Sequence, residues 1–565
     1  MNLRTIAATV LFSAQAGMAF PQSAPSTTAP ASAPAGASAP AAAKAPATFE
    51  IADIHASPPR RFPFFEGAFL EDGRYIVRQA TIADLIATAY GLKDSTYVQG
   101  GPSWLEWDRW DVIAKVPPGT SEAAAKEMLK SLLETRFKLV AHNGETQMPA
   151  YWLTVAPGGL KLKETPGGTG DGECHGSQTK TGPEPGAVPL TTLSCTNKSM
   201  AALAQTLTSN RGGMYLQYPV VDKTNIKGAY NFDLKYTPMY MLTQAGGAGV
   251  TIFAAAEKDL GLKLELKTAP QPGLVVDSVN QTPTANAPDL AKLLPPLPPA
   301  QFEVAVIKPS APDERPMGKI TGDEVNVHAL PLKFLINFAW DLNPNDKAEL
   351  VGAPKWLDSD KIDVEAKVAT EDVVESAARP GRPPIPIDDL REMLKALLID
   401  RFEIKAHMEN QPADVYELVA VNPKLTRADP SERAQCKQGP GPDGKDPRLT
   451  QPILNMLVTC QNVTMAEAGE KFPTFAAYYL YYPAVDKTGL KGGWDFTLSW
   501  SSGNFMPGFG GPGAPDSQGG TPSDPNGALS FYDAVSKELG LKLEKVKRPE
   551  PVLVIDHIDE QPTPN

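Results

Sequence analysis

Apolar residues recur at helical spacing in four stretches, and each stretch has a counterpart later in the chain. Ile82, Leu85, Ile86, Ala89 and Tyr90 form the first stripe, matched by Leu332, Leu335, Ile336, Ala339 and Trp340. Thr81, with Asp84 three residues on, supplies a start signal for one, and Pro331 opens the other where proline is tolerated. Met128, Leu129, Leu132 and Leu133 predict a second helix, mirrored by Met393, Leu394, Leu397 and Leu398. A third is expected to start at Ser199 or Thr464. A fourth carries Ile252, Ala256 and Leu260, or Phe531, Val535 and Leu539, and ends at Gly261 or Gly540. Between helices the period changes to two. Trp110, Val112 and Ala114 alternate, as do Ile362, Val364 and Ala366. Phe137, Leu139 and Ala141, with Phe402, Ile404 and Ala406, predict a further strand that ends in His142 or His407. Alternation favours antiparallel pairing over a buried parallel sheet. Helices two and four of each copy are each expected to lead into two strands, and that αββ unit occurring twice per copy predicts an α+β fold: two tandem homologous domains, each a mostly antiparallel sheet with about four helices packed on it.

Sequence blocks repeat in the same order. Phe49-EIADIHAS matches Phe302-EVAVIKPS, Gly101-PSWL matches Ala353-PKWL, and Arg136-FKLVAH matches Arg401-FEIKAH. Val221-DKTNIKG then matches Val485-DKTGLKG, Leu260-GLKLE matches Leu539-GLKLE, and Val275-VDSVNQTPT matches Val554-IDHIDEQPT. Six matches in register establish a duplication. The expected organisation is a signal peptide over 1–19, an Ala/Pro/Ser-rich tether over 20–47, a first repeat over 48–286, a proline-rich linker over 287–300 and a second repeat over 301–565.

The leader assignment rests on Arg4, the short apolar run from Ile6 to Phe12 and small residues up to Ala19. The tether cannot bury enough apolar area to offset its chain entropy. Segments 165–190, 427–450 and 501–527, rich in glycine, proline and polar residues, are expected as surface loops. A net charge of −12 over 565 residues leaves no basic footprint for nucleic acid. The chain carries 56 prolines, about twice the usual share of ~5%, which fits many turns and linkers. No segment of the expected mature chain is long and apolar enough to span a membrane.

Four cysteines fall at matching places, Cys174 and Cys195 in copy one, Cys436 and Cys460 in copy two. One disulfide per copy is the leading reading for an exported chain. A zinc site is the competing one, since His175 adjoins Cys174; Lys437 at the matching place and the absence of C-x-x-C spacing count against it. His142 and His407 are candidate acid, base or binding groups, or polar strand-end residues that bond locally. Trp104 and Trp356, each in Pro-x-Trp, are candidate binding aromatics, or plugs beneath a loop. Asp222-Lys-Thr and Asp486-Lys-Thr read as turns. Asp277 and Asp556 lie in apolar strands, which places each either at a strand edge or beside a partner, with Arg136 and Arg401 as candidates. Asn197, Asn280 and Asn462 open glycosylation sequons, informative only in a eukaryotic host. Signatures of serine hydrolases, zinc peptidases, nucleotide binding and EF-hands are missing, so no catalytic residue, metal or cofactor is assigned.

The blocks F-E-V-A-x-I-K-P-S, G-x-P-x-W-L, M-L-x-x-L-L-x-x-R-F-x-x-x-x-H, V-D-K-T-G-L-x-G and L-G-L-K-L-E…V-I-D-H together resemble a paralogous family of uncharacterised exported proteins of soil bacteria, especially acidobacteria. Some members of that family follow sensor regions of metallopeptidase regulators, which implies sensing or interaction. Copy one departs from the pattern at Asn225 and Ser278, where Gly and His are usual. The αββ endings are also similar, in fold only, to short periplasmic modules that precede outer-membrane channels. The resulting expectation is an exported, non-catalytic binding module of the cell envelope whose partner is an envelope protein or glycan. An envelope-active hydrolase using the His142 and His407 regions is the alternative. Peptide mapping without reductant is expected to recover Cys174 linked to Cys195 and Cys436 linked to Cys460; a Cys195–Cys460 peptide, or four free thiols, contradicts the assignment.

Overall fold

The computed structural model describes residues 48–564 apart from 59, 61–62, 64, 72, 179–189, 243–248, 297–299, 312, 343–348, 370–384, 442, 481 and 503–526. The leader and tether expected over 1–47, and nearly all of the expected loop 501–527, lie outside the described residues. Copy one comprises β1 Ile51–Ala56, β2 Glu66–Glu71, β3 Arg74–Thr81, α1 Ile82–Ala89, β4 Val98–Gly100, β5 Arg109–Lys115, α2 Glu122–Arg136 and β6 Val140–Val155. It continues with β7 Lys163–Glu164, β8 Cys174–Gln178, β9 Thr191–Lys198, α3 Met200–Asn210, β10 Val220–Asp222, β11 Tyr230–Tyr236, α4 Ile252–Ala255 and β12 Leu262–Ser278. A single turn, α5 Leu290–Leu293, lies in the linker. Copy two repeats the order with β13 Phe302–Pro309, β14 Met317–Thr321, β15 Glu324–Pro331, α6 Leu332–Ala339, β16 Leu350–Val351, β17 Lys361–Val368, α7 Ile387–Phe402 and β18 Lys405–Ala420. Its second part holds β19 Thr426–Arg427, β20 Gln435–Gln438, β21 Met456–Val463, α8 Met465–Phe475, β22 Val485–Asp486, β23 Trp494–Trp500, α9 Phe531–Leu539 and β24 Leu541–His557.

The single sheet per copy expected from the alternation is replaced by three four-stranded sheets. In copy one their orders are β1-β5-β3-β2, β10-β6-β12-β4 and β7-β11-β9-β8, and copy two has the equivalent three. Pairing is mostly antiparallel. The short strands β4, β10, β16 and β22 are the exceptions, each parallel to a long strand. The long strands β6, of 16 residues, and β12, of 17, run antiparallel as one ribbon. One end of this ribbon seals the first core with Leu274 and Val276, beneath α1 and α2. The other seals the second core with Tyr151, Leu153, Leu262 and Leu264, beside α3 and α4. Each copy is therefore two lobes on a shared ribbon. The ribbon also corrects the strand expected from Phe137: α2 runs to Arg136, Phe137 is its buried C-cap, and the strand starts at Val140. His142 consequently lies near the beginning of a strand and not at its end.

The helix starts follow local chemistry. Thr81 caps α1 and Thr464 caps α8, each in a reciprocal box with the acid three residues on, Asp84 or Glu467. Gly261 and Gly540 close α4's final turn and α9 with φ of 69° and 67°. A Cβ there would come within 2.0 Å of the Gly159 oxygen and 1.7 Å of the Asn422 oxygen, so glycine is required on both counts.

Four strand-to-helix junctions share one construction. Two residues before the helix cap, Gln79, Asn197, Ala329 and Asn462 adopt left-handed backbone with φ of 54°, 51°, 52° and 49°. The ladder to the neighbouring strand slips at each junction, as at a β-bulge. In every case the neighbouring strand supplies a side-chain oxygen for the freed amide. Asp111 Oδ1 accepts from Gln79 N at 2.8 Å, Asn231 Oδ1 from Asn197 N at 2.7 Å, Asp363 Oδ1 from Ala329 N at 3.0 Å, and Asp495 Oδ1 from Asn462 N at 2.8 Å. Left-handed non-glycine residues persist where their surroundings over-determine them. The αββ order expected after the second and fourth helices is found instead at the first and third: α1, α3, α6 and α8 share this joint and each lead through two strands to the next helix, whereas α4 and α9 lead into one long strand.

Both disulfides link residues directly opposite each other, Cys174 to Cys195 across β8 and β9, and Cys436 to Cys460 across β20 and β21. Part of the expected loops 165–190 and 427–450 is therefore edge strand, because their backbone groups join a ladder that the disulfide holds in register. The two copies also touch. Arg433 of copy two donates to Glu106 at 2.8 Å and to the Gly100 oxygen at 2.6 Å, Tyr218 donates to the Pro440 oxygen at 2.9 Å, and Lys471 lies 4.7 Å from the centre of the Trp107 ring.

The junction geometry makes a directional prediction. Asp495→Ala is expected to lower stability by about 1–3 kcal/mol in urea unfolding, because the Asn462 amide loses its acceptor. Asp495→Asn is expected to be nearly neutral, since Asn231 performs the same task in copy one. Equal effects of the two changes would contradict the joint.

Candidate functional site

A matched His–Asp pair stands on the ribbon of each copy. Asp277 is the extra residue of a bulge between the pairs Val276–Ala141 and Ser278–Val140, and His142 lies opposite Val275. The bulge turns the carboxylate sideways, so Asp277 Oδ2 reaches His142 Nδ1 at 2.9 Å. Copy two repeats this: Asp556 is the bulged residue, and its Oδ2 lies 2.8 Å from His407 Nδ1. The hydrogen bond to Asp556, with its charge and the more distant Glu409, holds the His407 imidazole above its ordinary range. Copy one has Gly144 where copy two has Glu409, so the two pairs stand in different fields. All four side chains are about half exposed, at 59% and 45% in copy one and 53% and 50% in copy two. Neither Nε2 bonds a hydroxyl among the described residues, and all four cysteines are bridged. The arrangement can bind a polar group or move a proton.

The arginines expected as partners of Asp277 and Asp556 do something else. Arg136 donates to the Thr284 oxygen at 2.6 Å and to Asn286 Oδ1 at 2.6 Å. Arg401 donates to the Pro564 oxygen at 2.7 Å and the Ala305 oxygen at 3.3 Å. Both therefore clasp the tail that follows the ribbon, and the acids turn to histidine because the bulge points them along the sheet surface. Trp104 and Trp356 are half-buried against the first core of each copy, packed as plugs and not presented as free aromatic faces. Asp222 and Asp486 accept from the amide and hydroxyl of Thr224 and Thr488, which makes both triplets turns. His175 is exposed, 3.5 Å from Glu173, beside a bridged cysteine.

A large cavity lies between the copies and was not legible in the sequence. It measures about 920 Å³, with Arg74, Arg78 and Asp111 of copy one facing Trp340, Arg391 and Lys395 of copy two, closed on one side by the linker's Leu290 and Leu294. Ion pairs cross its floor. Arg78 donates to Asp389 at 2.9 Å and Arg60 to Asp388 from one copy to the other, and Arg391 donates to Asp341 at 2.6 Å within copy two. Behind Arg60 lies Glu66, 4% exposed, with neither carboxylate oxygen hydrogen-bonded and with Arg60 at 3.9 Å. Burial raises the Glu66 pKa, against the pull of Arg60, and burial lowers that of Arg60. Arg60, Glu66, Asp388 and Asp389 share no spacing across the repeat, so no motif could mark them.

A family model described as a protein of unknown function, DUF3738, matches residues 83–279 and 333–558. No curated protein and no solved structure matches the chain. The two matched stretches fall one in each copy. The His142–Asp277 and His407–Asp556 pairs lie inside them, whereas Arg60, Arg74 and Arg78 of the cavity precede the first.

The raised His407 pKa has a defined consequence. Its pairing with Asp556 favours the fold at pH below the unfolded imidazole pKa and fades as pH climbs through the folded one. An NMR titration is expected to show the His407 midpoint fall toward its ordinary value in Asp556→Asn; an unchanged midpoint would show that the carboxylate is not its cause.

Proposed function

The chain belongs to DUF3738, a family of unknown function, and we propose that this member is an exported, non-catalytic binding module of the cell envelope whose ligand sits between the copies. The observation that carries the reading is the cavity of about 920 Å³ walled by charged side chains from both copies. A site of that volume matches the size of small-ligand pockets, and its mixed guanidinium, ammonium and carboxylate lining suits a polar ligand with charges of both signs, such as a peptide-bearing envelope glycan. Two disulfides support an oxidising compartment, and no helix of the described residues is long and apolar enough to cross a membrane. A second reading, an envelope-active hydrolase, is favoured by one observation, the repeated His142–Asp277 and His407–Asp556 pairs.

Calorimetric titration with soluble muropeptides separates the readings. Arg74→Ala with Lys395→Ala is expected to weaken binding roughly tenfold or more through loss of charge-assisted hydrogen bonds, with little change in melting temperature. His142→Ala with His407→Ala is expected to leave binding intact. Hydrolysis of the same probes, abolished by the double histidine change at constant melting temperature, would overturn the binding-only reading.

A further inference from the structure

Copy two contains three donor atoms converging at one point on its first sheet. Asp363 lies on β17, His328 on β15, and Glu314 in the connection between β13 and β14. The Asp363 side chain is 4% exposed, and its Oδ1 is already taken by Ser310 Oγ and the Ala329 amide. Its Oδ2 is thereby turned toward His328 Nδ1, at 3.6 Å, and Glu314 Oε1 reaches the same nitrogen at 3.2 Å. Nδ1 is fully buried and hydrogen-bonds to neither oxygen. All three donor atoms lie within 4.8 Å of one another.

We propose that Glu314, His328 and Asp363 form a binding site for a divalent transition-metal ion, with zinc as the reference case. Metal–ligand bonds of about 2.1 Å at tetrahedral or octahedral angles place donor atoms roughly 3.0–3.4 Å apart, close to the 3.2 and 3.6 Å that separate the two carboxylate oxygens from His328 Nδ1. One imidazole and two carboxylates suit zinc or its first-row neighbours and leave further positions for water or a ligand. Ser310 and the Ala329 amide act as the outer shell, fixing the Asp363 carboxylate before the ion arrives. The ion would tie the connection ahead of β14 to the centre of the sheet.

Copy one retains the outer shell but not the site. Asp111 bonds Ser57 and the Gln79 amide in the same manner. Arg78 stands where His328 does, and donates to Asp389 across the copies. His55 approaches from β1, with Nδ1 at 3.2 Å from Asp53 and Nε2 at 3.6 Å from Asp111, so its two nitrogens serve two different acids. The site is a specialisation of copy two. Glu403, His557 and Asp559 form a more exposed cluster elsewhere in copy two, with His557 Nε2 at 3.1 Å from Asp559, and make the natural control.

The test is titration of the chelator-treated full chain with zinc chloride, read by calorimetry and by melting temperature. Wild-type protein is expected to bind one equivalent and to melt higher with zinc. His328→Ala and Glu314→Gln are each expected to lose roughly tenfold or more in affinity. Glu314 is one-third exposed, so its variant keeps the fold and makes the comparison sound even if His328→Ala unfolds. His557→Ala is expected to bind as wild type. Absence of zinc binding, wild-type affinity in Glu314→Gln, or loss of binding in His557→Ala alone overturns the assignment.

Discussion

One backbone amide per quarter of the chain, held by an oxygen from the next strand, fixes how every lobe is joined. Where a strand must stop and a helix begin at a steep angle, one residue turns left-handed and its amide leaves the ladder. Buried and unpaired, that amide would cost about 1–3 kcal/mol. Asp111, Asn231, Asp363 and Asp495 remove the penalty at the four junctions. The helix that follows then packs its apolar stripe on the correct face. Ile82, Leu85 and Ile86 are fully buried after the first joint, and Leu332 and Ile336 nearly so after the third.

The same joint also orients an ionisable side chain. A carboxylate with one oxygen committed to the backbone presents its second oxygen in a fixed direction, at no further cost in side-chain entropy. In copy one that oxygen faces His55, and in copy two it faces His328 and Glu314. The ribbon bulges act alike: Asp277 and Asp556 are aimed by an irregularity of the backbone and meet a histidine from the neighbouring strand. In both places a departure from regular pairing positions an ionisable group.

Duplication supplied what one copy lacks. The cavity between the copies needs Arg74 and Arg78 from one and Trp340, Arg391 and Lys395 from the other. Its ion pairs join residues that are not equivalent in the two repeats, so the copies have diverged to fit each other and not merely to coexist. Glu66 and Arg60 are the members of that contact that burial shifts toward their uncharged forms.

Much of the local structure was legible in the residue pattern. Helix stripes, the Thr81 and Thr464 caps, the closing glycines and the cysteine pairs are decided by neighbours within a few residues, or by a repeated spacing, and such terms survive in a linear string. The long ribbon was misjudged, because Phe137 and Phe402 satisfy a strand's alternation and a helix's C-terminal end equally well, and only packing chooses between them. The partners of Asp277 and Asp556 were assigned to Arg136 and Arg401 because a strand pattern does not reveal a bulge. The Glu314, His328 and Asp363 cluster draws on two strands and a connection, with no spacing to betray it. By itself the sequence determined the duplication, the helices and the pairing of the cysteines; the tertiary structure alone decided how the strands divide into sheets and which charges meet, because ion pairs, bulges and cavities depend on distances between residues that the chain order leaves free.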